Sequence, residues 1–241
     1  MDRAPPGALK NASRKALGPI CLCESNAMTY TARLILFAPR EENADLMAAS
    51  LSAAFQGGRI DAVIVTLPDD DERSQINFVK SLVPIVHEAG AVLLIVDAFE
   101  MVARTGADGV HLSSPARVIE ATAAMRRIER SVGVGGLKAR HDAMEAAELG
   151  ADYVMFGETR PDGSIPTLSM VLERAEWWAE LFNTPCVAFA SEEANIAPLV
   201  ATGAEFIGLG VESFQHPDGI GALIKRALTI IAETPAPQRD K

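Results

Sequence analysis

At 241 residues the chain is sized for one large domain, and 49% apolar against 22% charged residues is the balance of a globular chain with ample core. A formal net charge of -10 leaves no basic face for nucleic acid or an anionic membrane. No apolar run approaches the roughly 18 residues that a membrane span needs.

Cysteine usage adds a compartment. Cys21 and Cys23 are too close for an easy bridge and lack a second pair for zinc, while Cys186 lies in an apolar stretch. That pattern fits a reducing cytoplasm.

Taken in order, residues 1–29 carry Pro5, Pro6, Gly7, Gly18, Pro19 and scattered cations without a sustained period, so a flexible tail is expected there. A single domain is expected over residues 30–234, with a frayed end at 235–241. Within it, short apolar runs alternate with helical periods. Strands are predicted at 33–38, 62–67, 91–96, 109–112, 131–134, 153–156, 186–189 and 206–209. Helices are predicted at 41–55, from the acidic run 69–72 to Ala89, and at 99–104, 117–130, 140–149, 168–182, 195–202 and 220–231. On the sixth of these, Trp177 and Trp178 cannot both face inward, which leaves one for the surface or for a contact between copies in a homo-oligomer.

One phrase punctuates the units. Gly-Ala-Asp followed at once by an apolar run occurs at 106–112 and 150–157, returns as Gly-Ala-Glu at 203–209, and appears loosely at 90–96. A helix-ending glycine running straight into a buried strand is the joint of a repeated αβ unit. Eight such units in a row predict a (β/α)₈ TIM barrel; an open doubly wound sheet is disfavoured because no Gly-rich dinucleotide turn follows the first strand.

In a barrel of this kind chemistry sits at the C-terminal ends of the strands. In chain order those positions hold Arg40; the acidic run 68–71; Asp97; Ser113 and Ser114; Gly135, Gly136, Lys138 and Arg140; Gly157, Glu158 and Arg160; Ser191; and Gly210 with Glu212. The run from Gly133 to Arg140 is the sharpest of these, a strand entering a glycine-rich bend, then two cations, then a helix start. Such a bend can turn backbone N–H groups toward an anion, or it can be a tight turn with solvated cations. Asp97 ends an apolar strand, where a carboxylate serves a metal, a substrate or the cap of the next helix. His111 lies among small apolar neighbours and reads as a core histidine.

At these residues the chain resembles the thiamine-phosphate synthase and TenI family. The likeness rests on the order and spacing of Leu94-Ile95-Val96-Asp97, Ala107 to Leu112, Gly133-Val134, Gly150 to Gly157, Pro185 to Phe189 and Gly203-Ala204-Glu205, and covers nearly everything from Tyr30 to Ile231. It implies a barrel that joins a pyrimidine pyrophosphate to a thiazole phosphate, in thiamine biosynthesis, with release of pyrophosphate. It also implies Mg²⁺ on Asp97. Departures fall on the rim. The family's Gln-x-Arg-x-Lys run stands here as Thr66 to Asp70, the second metal-binding Asp is absent near Ala116, and the strand-five Ser/Thr and His are Gly135, Gly136 and Leu137. Ala190-Ser191 replace a Gly-Gly pair, and Val211 replaces a serine.

The resulting expectation is a cytoplasmic transferase with a small phosphorylated heterocyclic ligand, Asp97 and Glu158 as catalytic residues, and Asp97 as the metal ligand. The ligand would be held by Arg40, Gly135, Gly136, Lys138, Arg140, Gly157, Arg160, Ser191 and Gly210, with the four cations converging on one rim. The alternative is a TenI-like isomerase or a non-catalytic binder of a phosphorylated ligand.

Overall fold

The computed structural model describes residues 31–159, 163–235 and 237. The expected tail at 1–29, its two cysteines, Arg160 and most of the expected frayed end lie outside them. In chain order the elements are β1 (Arg33–Ala38), α1 (Ala44–Gln56), β2 (Ala62–Val65), α2 (Glu72–Glu88), β3 (Val92–Val96), α3 (Val102–Thr105), β4 (Gly109–Leu112) and α4 (Val118–Arg126). They continue as β5 (Ser131–Val134), α5 (Arg140–Glu148), β6 (Tyr153–Phe156), α6 (Leu168–Leu181), β7 (Cys186–Ala190), α7 (Ile196–Ala201), β8 (Phe206–Leu209) and α8 (Ile220–Glu233). Each strand pairs in parallel with its sequence neighbours, and β8 pairs with β1, so the barrel closes. The predicted (β/α)₈ barrel is what forms.

Element ends differ from the sequence reading for local reasons. Helix α1 starts at Ala44 rather than 41 because the Asn43 side chain accepts from the N–H groups of Asp45 and Leu46, at 2.9 and 3.2 Å. Of the acidic run before α2, Asp71 alone caps, taking the Ser74 N–H at 2.9 Å. Strand β2 stops at Val65, which pairs with Ala38, the last residue of β1; beyond it there is no partner strand. Helix α4 is shorter than 117–130 at both ends. A 3₁₀ turn at Pro115–Arg117 precedes it, and Glu129, with φ 53°, breaks it.

Alternation along the strands sorts the apolar side chains into two layers. Ile35, Ile64, Leu94, Tyr153, Met155, Val187 and Phe206 fill the barrel interior, while the opposite faces pack against the helices. Tyr153 reaches across the interior into room left by Gly133, where any Cβ would overlap its ring. On the outside Trp178 is fully buried, stacked on Phe182 with ring centres 4.1 Å apart and donating Nε1–H to the Thr184 carbonyl at 2.7 Å. Trp177 is half-buried under the Arg140 guanidinium.

The first and last helices meet unusually closely. A Cβ at Gly57 would overlap the Gly221 carbonyl oxygen, and one at Gly221 would lie 2.8 Å from the Ala53 carbonyl oxygen. Backbone therefore touches backbone where the ring closes. No helix among the described residues is long and apolar enough to cross a membrane.

Candidate active site

Asp97, Gly135, Gly136, Glu158 and Gly210 all sit at the C-terminal ends of their strands, around one mouth. Below them, at the inward positions nearest that end, lie Phe37, Val96, His111 and Phe189. Phe37 and Phe189 meet edge to face at 5.8 Å and are half-buried, so they form an apolar floor open to the mouth.

Asp97 is the strained residue of the mouth. Its φ is 57°, a left-handed conformation outside glycine, and its N–H donates to the His111 carbonyl at 2.9 Å. The carboxylate takes the Ser113 N–H at 2.8 Å and the Ser113 hydroxyl at 2.6 Å. It therefore ties the end of β3 to the loop after β4 and does not cap the following helical turn, which has no side-chain cap. The side chain is exposed.

The glycine-rich bend after β5 is buried and already holds an anion. Gly135 N–H donates to the Leu112 carbonyl at 2.8 Å, and Gly136 N–H donates to Glu158 Oε1 across from the end of β6. Gly136 has φ 65°, and a Cβ there would overlap the Ser113 carbonyl oxygen. The backbone donor that the sequence reading offered to a ligand is thus engaged by the chain's own carboxylate.

His111 is the core residue expected, and its polar partner is Tyr153. The His111 ring is 2% exposed, stacked near Tyr153, with Nδ1 2.9 Å from Tyr153 Oη. Burial pushes the imidazole down to about 4, partly opposed by the Asp97 charge. Tyr153 is held well above the ordinary phenol range, by burial first and then by the Glu158 and Asp152 charges. The pair is a neutral polar column rising through the barrel to the mouth.

Of the four cations expected to converge, Arg40 and Arg140 turn to other partners, and Arg160 lies outside the described residues. Arg40 forms an exposed ion pair with Asp69 at 3.4 Å. Arg140 turns to α6, bonding Glu173 at 2.7 Å and lying 4.6 Å above the Trp177 ring. Lys138 is exposed at the rim, its N–H held by Asp142 at 3.0 Å. Gly157 is buried, with φ 113°. Ser191 is exposed and accepts from Asn195 at 3.0 Å, while Gly210 is buried and opens a 3₁₀ turn, Val211–Gln215, that carries Glu212.

Arg174 escaped the sequence reading. From α6 it donates to the carbonyls of Leu137 and Lys138, at 2.8 and 2.6 Å, and so straps the loop after β5. Its spacing was the available signal. It shares a helical face with the buried Val171, Ala175 and Trp178, an odd place for a cation without an inward task.

A strand-end mouth of this design defines the chain as a (β/α)₈ barrel with an apolar floor and an acidic, glycine-lined rim. Comparison with known proteins narrows it. The family described as thiamine monophosphate synthase matches residues 34–210. The thiamine-phosphate synthase of Rhodospirillum centenum is 32% identical over 194 residues, covering 80% of this chain and 94% of that protein. That of Hyphomonas neptunium is 36% identical over 146 residues, 58% and 65% of the two chains. In structure the chain is similar to thiamine phosphate pyrophosphorylase from Pyrococcus furiosus, with a TM-score of 0.69 at 19% identity over 86% of this chain and 98% of that one. The chain belongs to the thiamine monophosphate synthase family.

Proposed function

We propose that the chain acts in thiamine biosynthesis as a transferase of the thiamine-phosphate synthase type, working in the cytoplasm. A pyrimidine bearing a pyrophosphate is joined through a new C–N bond to a thiazole phosphate, and pyrophosphate leaves. The observation that carries this reading is Asp97, an exposed carboxylate fixed by Ser113 at the barrel mouth of a chain that matches the family across residues 34–210.

Among the described residues no group of three or more His, Cys, Asp or Glu is placed to hold a metal. Mg²⁺ asks for less, one or two carboxylates with water and substrate phosphates completing its shell. A carboxylate has about four lone-pair positions, and Ser113 uses two of those on Asp97. Asp97 thus fits the ion together with the substrate's pyrophosphate; when bound, Mg²⁺ would neutralise charge on that leaving group. Ser113 orients the carboxylate, Lys138 offers a phosphate contact at the rim, and Glu158, whose Oε1 stands over Gly135, is the candidate acid or base.

Two substitutions test this. Asp97→Asn keeps one acceptor for Ser113 but removes the charge, so turnover should fall on the order of a hundredfold in a condensation assay, with the melting temperature nearly unchanged. A loss under threefold would remove Asp97 from the reaction. Lys138→Ala should weaken binding of the thiazole phosphate by about 1.5–3 kcal/mol in calorimetry, the scale of a charge-assisted hydrogen bond. Unchanged affinity would take Lys138 out of the site.

A further inference from the structure

Helix α6 meets the loop after β5 with two neighbouring side chains of opposite sign. Glu173 takes the Arg140 guanidinium at 2.7 Å, which draws that cation away from the mouth. Arg174 donates to the carbonyls of Leu137 and Lys138, at 2.8 and 2.6 Å. Those two carbonyls belong to the two peptide groups that flank the Lys138 Cα.

The same two peptide groups are held at their other ends. Asp142, in the first turn of α5, accepts from the Lys138 N–H at 3.0 Å and from the Ala139 N–H at 2.8 Å. Each peptide plane therefore lies between a guanidinium on its oxygen and a carboxylate on its N–H, in line with its own dipole. Bonds at both ends fix the two planes, and with them φ and ψ of Lys138. Asp142 alone would be the ordinary cap of a helix start. Arg174 serves no helix end and comes from 36 residues further along the chain. Lys138 itself is exposed, so the clamp secures a side chain that contributes nothing to the core.

We propose that Arg174 is a positioning residue: by clamping both peptide planes beside Lys138, it sets the direction in which that side chain leaves the backbone toward the ligand's phosphate. Arginine suits the task because its planar fork meets two acceptors at once, which a single ammonium does not do in a fixed geometry. The cost of ordering the backbone at Lys138 falls on folding, so binding does not have to meet it. The role rests on the transferase reading above, since the phosphate is that of its thiazole substrate.

Arg174→Met keeps the apolar stem and removes the fork. In calorimetry on the full chain, its affinity for the thiazole phosphate should fall about tenfold, the scale of one residue's backbone freedom. Backbone order parameters of Lys138 and Ala139 should drop toward those of a flexible loop. A cycle with Lys138→Ala supplies the readout that a merely structural role would not move. In that background Arg174→Met should cost less than twofold, because nothing is left for the clamp to aim. A loss under twofold with Lys138 present, or the same tenfold loss with and without Lys138, would overturn the proposal. Should Arg174→Met fail to fold, Arg174→Lys, which keeps the charge without the fork, is held to the same two outcomes. The condensation assay decides the other question separately. Turnover with no effect of Arg174→Met on affinity leaves the transferase reading standing and removes the clamp. The affinity effects without turnover leave the clamp standing and remove the transferase reading.

Discussion

Replacing Gly136 by alanine should cost the fold about 3 kcal/mol or more, the largest loss expected from any single methyl added at the mouth. The backbone there has φ 65°, and a left-handed conformation costs an L-residue roughly 1–2 kcal/mol. The added Cβ would also overlap the Ser113 carbonyl oxygen, a backbone atom that cannot swing aside, and overpacking of that kind costs about 1–3 kcal/mol more. Equilibrium urea unfolding should report a lower midpoint with the same slope. A change under about 1 kcal/mol would mean that the two loops are not locked together. Because Ser113 also holds Asp97, and Gly136 also holds Glu158, a surviving variant should lose activity beyond its loss of stability.

Acidification should expose His111. In the fold its imidazole stays neutral down to about pH 4, whereas in the unfolded chain it takes a proton near 6.5. Between those values the unfolded state binds the additional proton. Stability is therefore fully present above pH 6.5 and falls as the pH drops toward 4, by on the order of 3 kcal/mol at most. Asp97 works against the shift but does not cancel the burial that causes it. Carboxylates titrate in the lower part of this window too, so the readout is a difference: a His111→Gln variant should show a shallower fall between pH 6.5 and 4. Parallel curves for the two proteins would show that the imidazole is not held neutral.

Most of the fold is legible in the sequence because its strands are short apolar runs that begin directly after a helix-ending glycine. Gly106 is an example, ending α3 with φ 82° and passing the chain to β4 within three residues. Local chemistry decides such joints, so local reading finds them. The acidic run before α2 shows the limit. Four acids suggest a cap, but which one caps depends on the chain's path out of β2, and it is Asp71.

The site is legible only as a set of positions. Asp97, Gly135, Gly136, Glu158 and Gly210 come together because barrel geometry puts every strand end on one rim. What each does there is decided by partners distant in sequence, such as Ser113 for Asp97 and Glu158 for Gly136. His111 reads as a core residue because its strand is apolar. Its polar companion Tyr153 stands in β6, two strands further round, in room that Gly133 vacates. Arg140 follows the same lesson in reverse. A cation at a helix start looks turned toward a ligand until the neighbouring helix supplies Glu173 and Trp177.

The contact of Gly57 with Gly221 bears on how the ring comes together. It joins units from the two far ends of the fold, so the chain must give up the entropy of its longest loop before this contact returns anything. Once made, the seam is well held: β1 pairs with β8 over four residues, and Ile224 and Leu228 of α8 pack over Gly57 and Gly58. Gly221→Ala, which adds a methyl at that late-forming joint, should therefore chiefly speed unfolding and leave the folding rate nearly unchanged in stopped-flow kinetics.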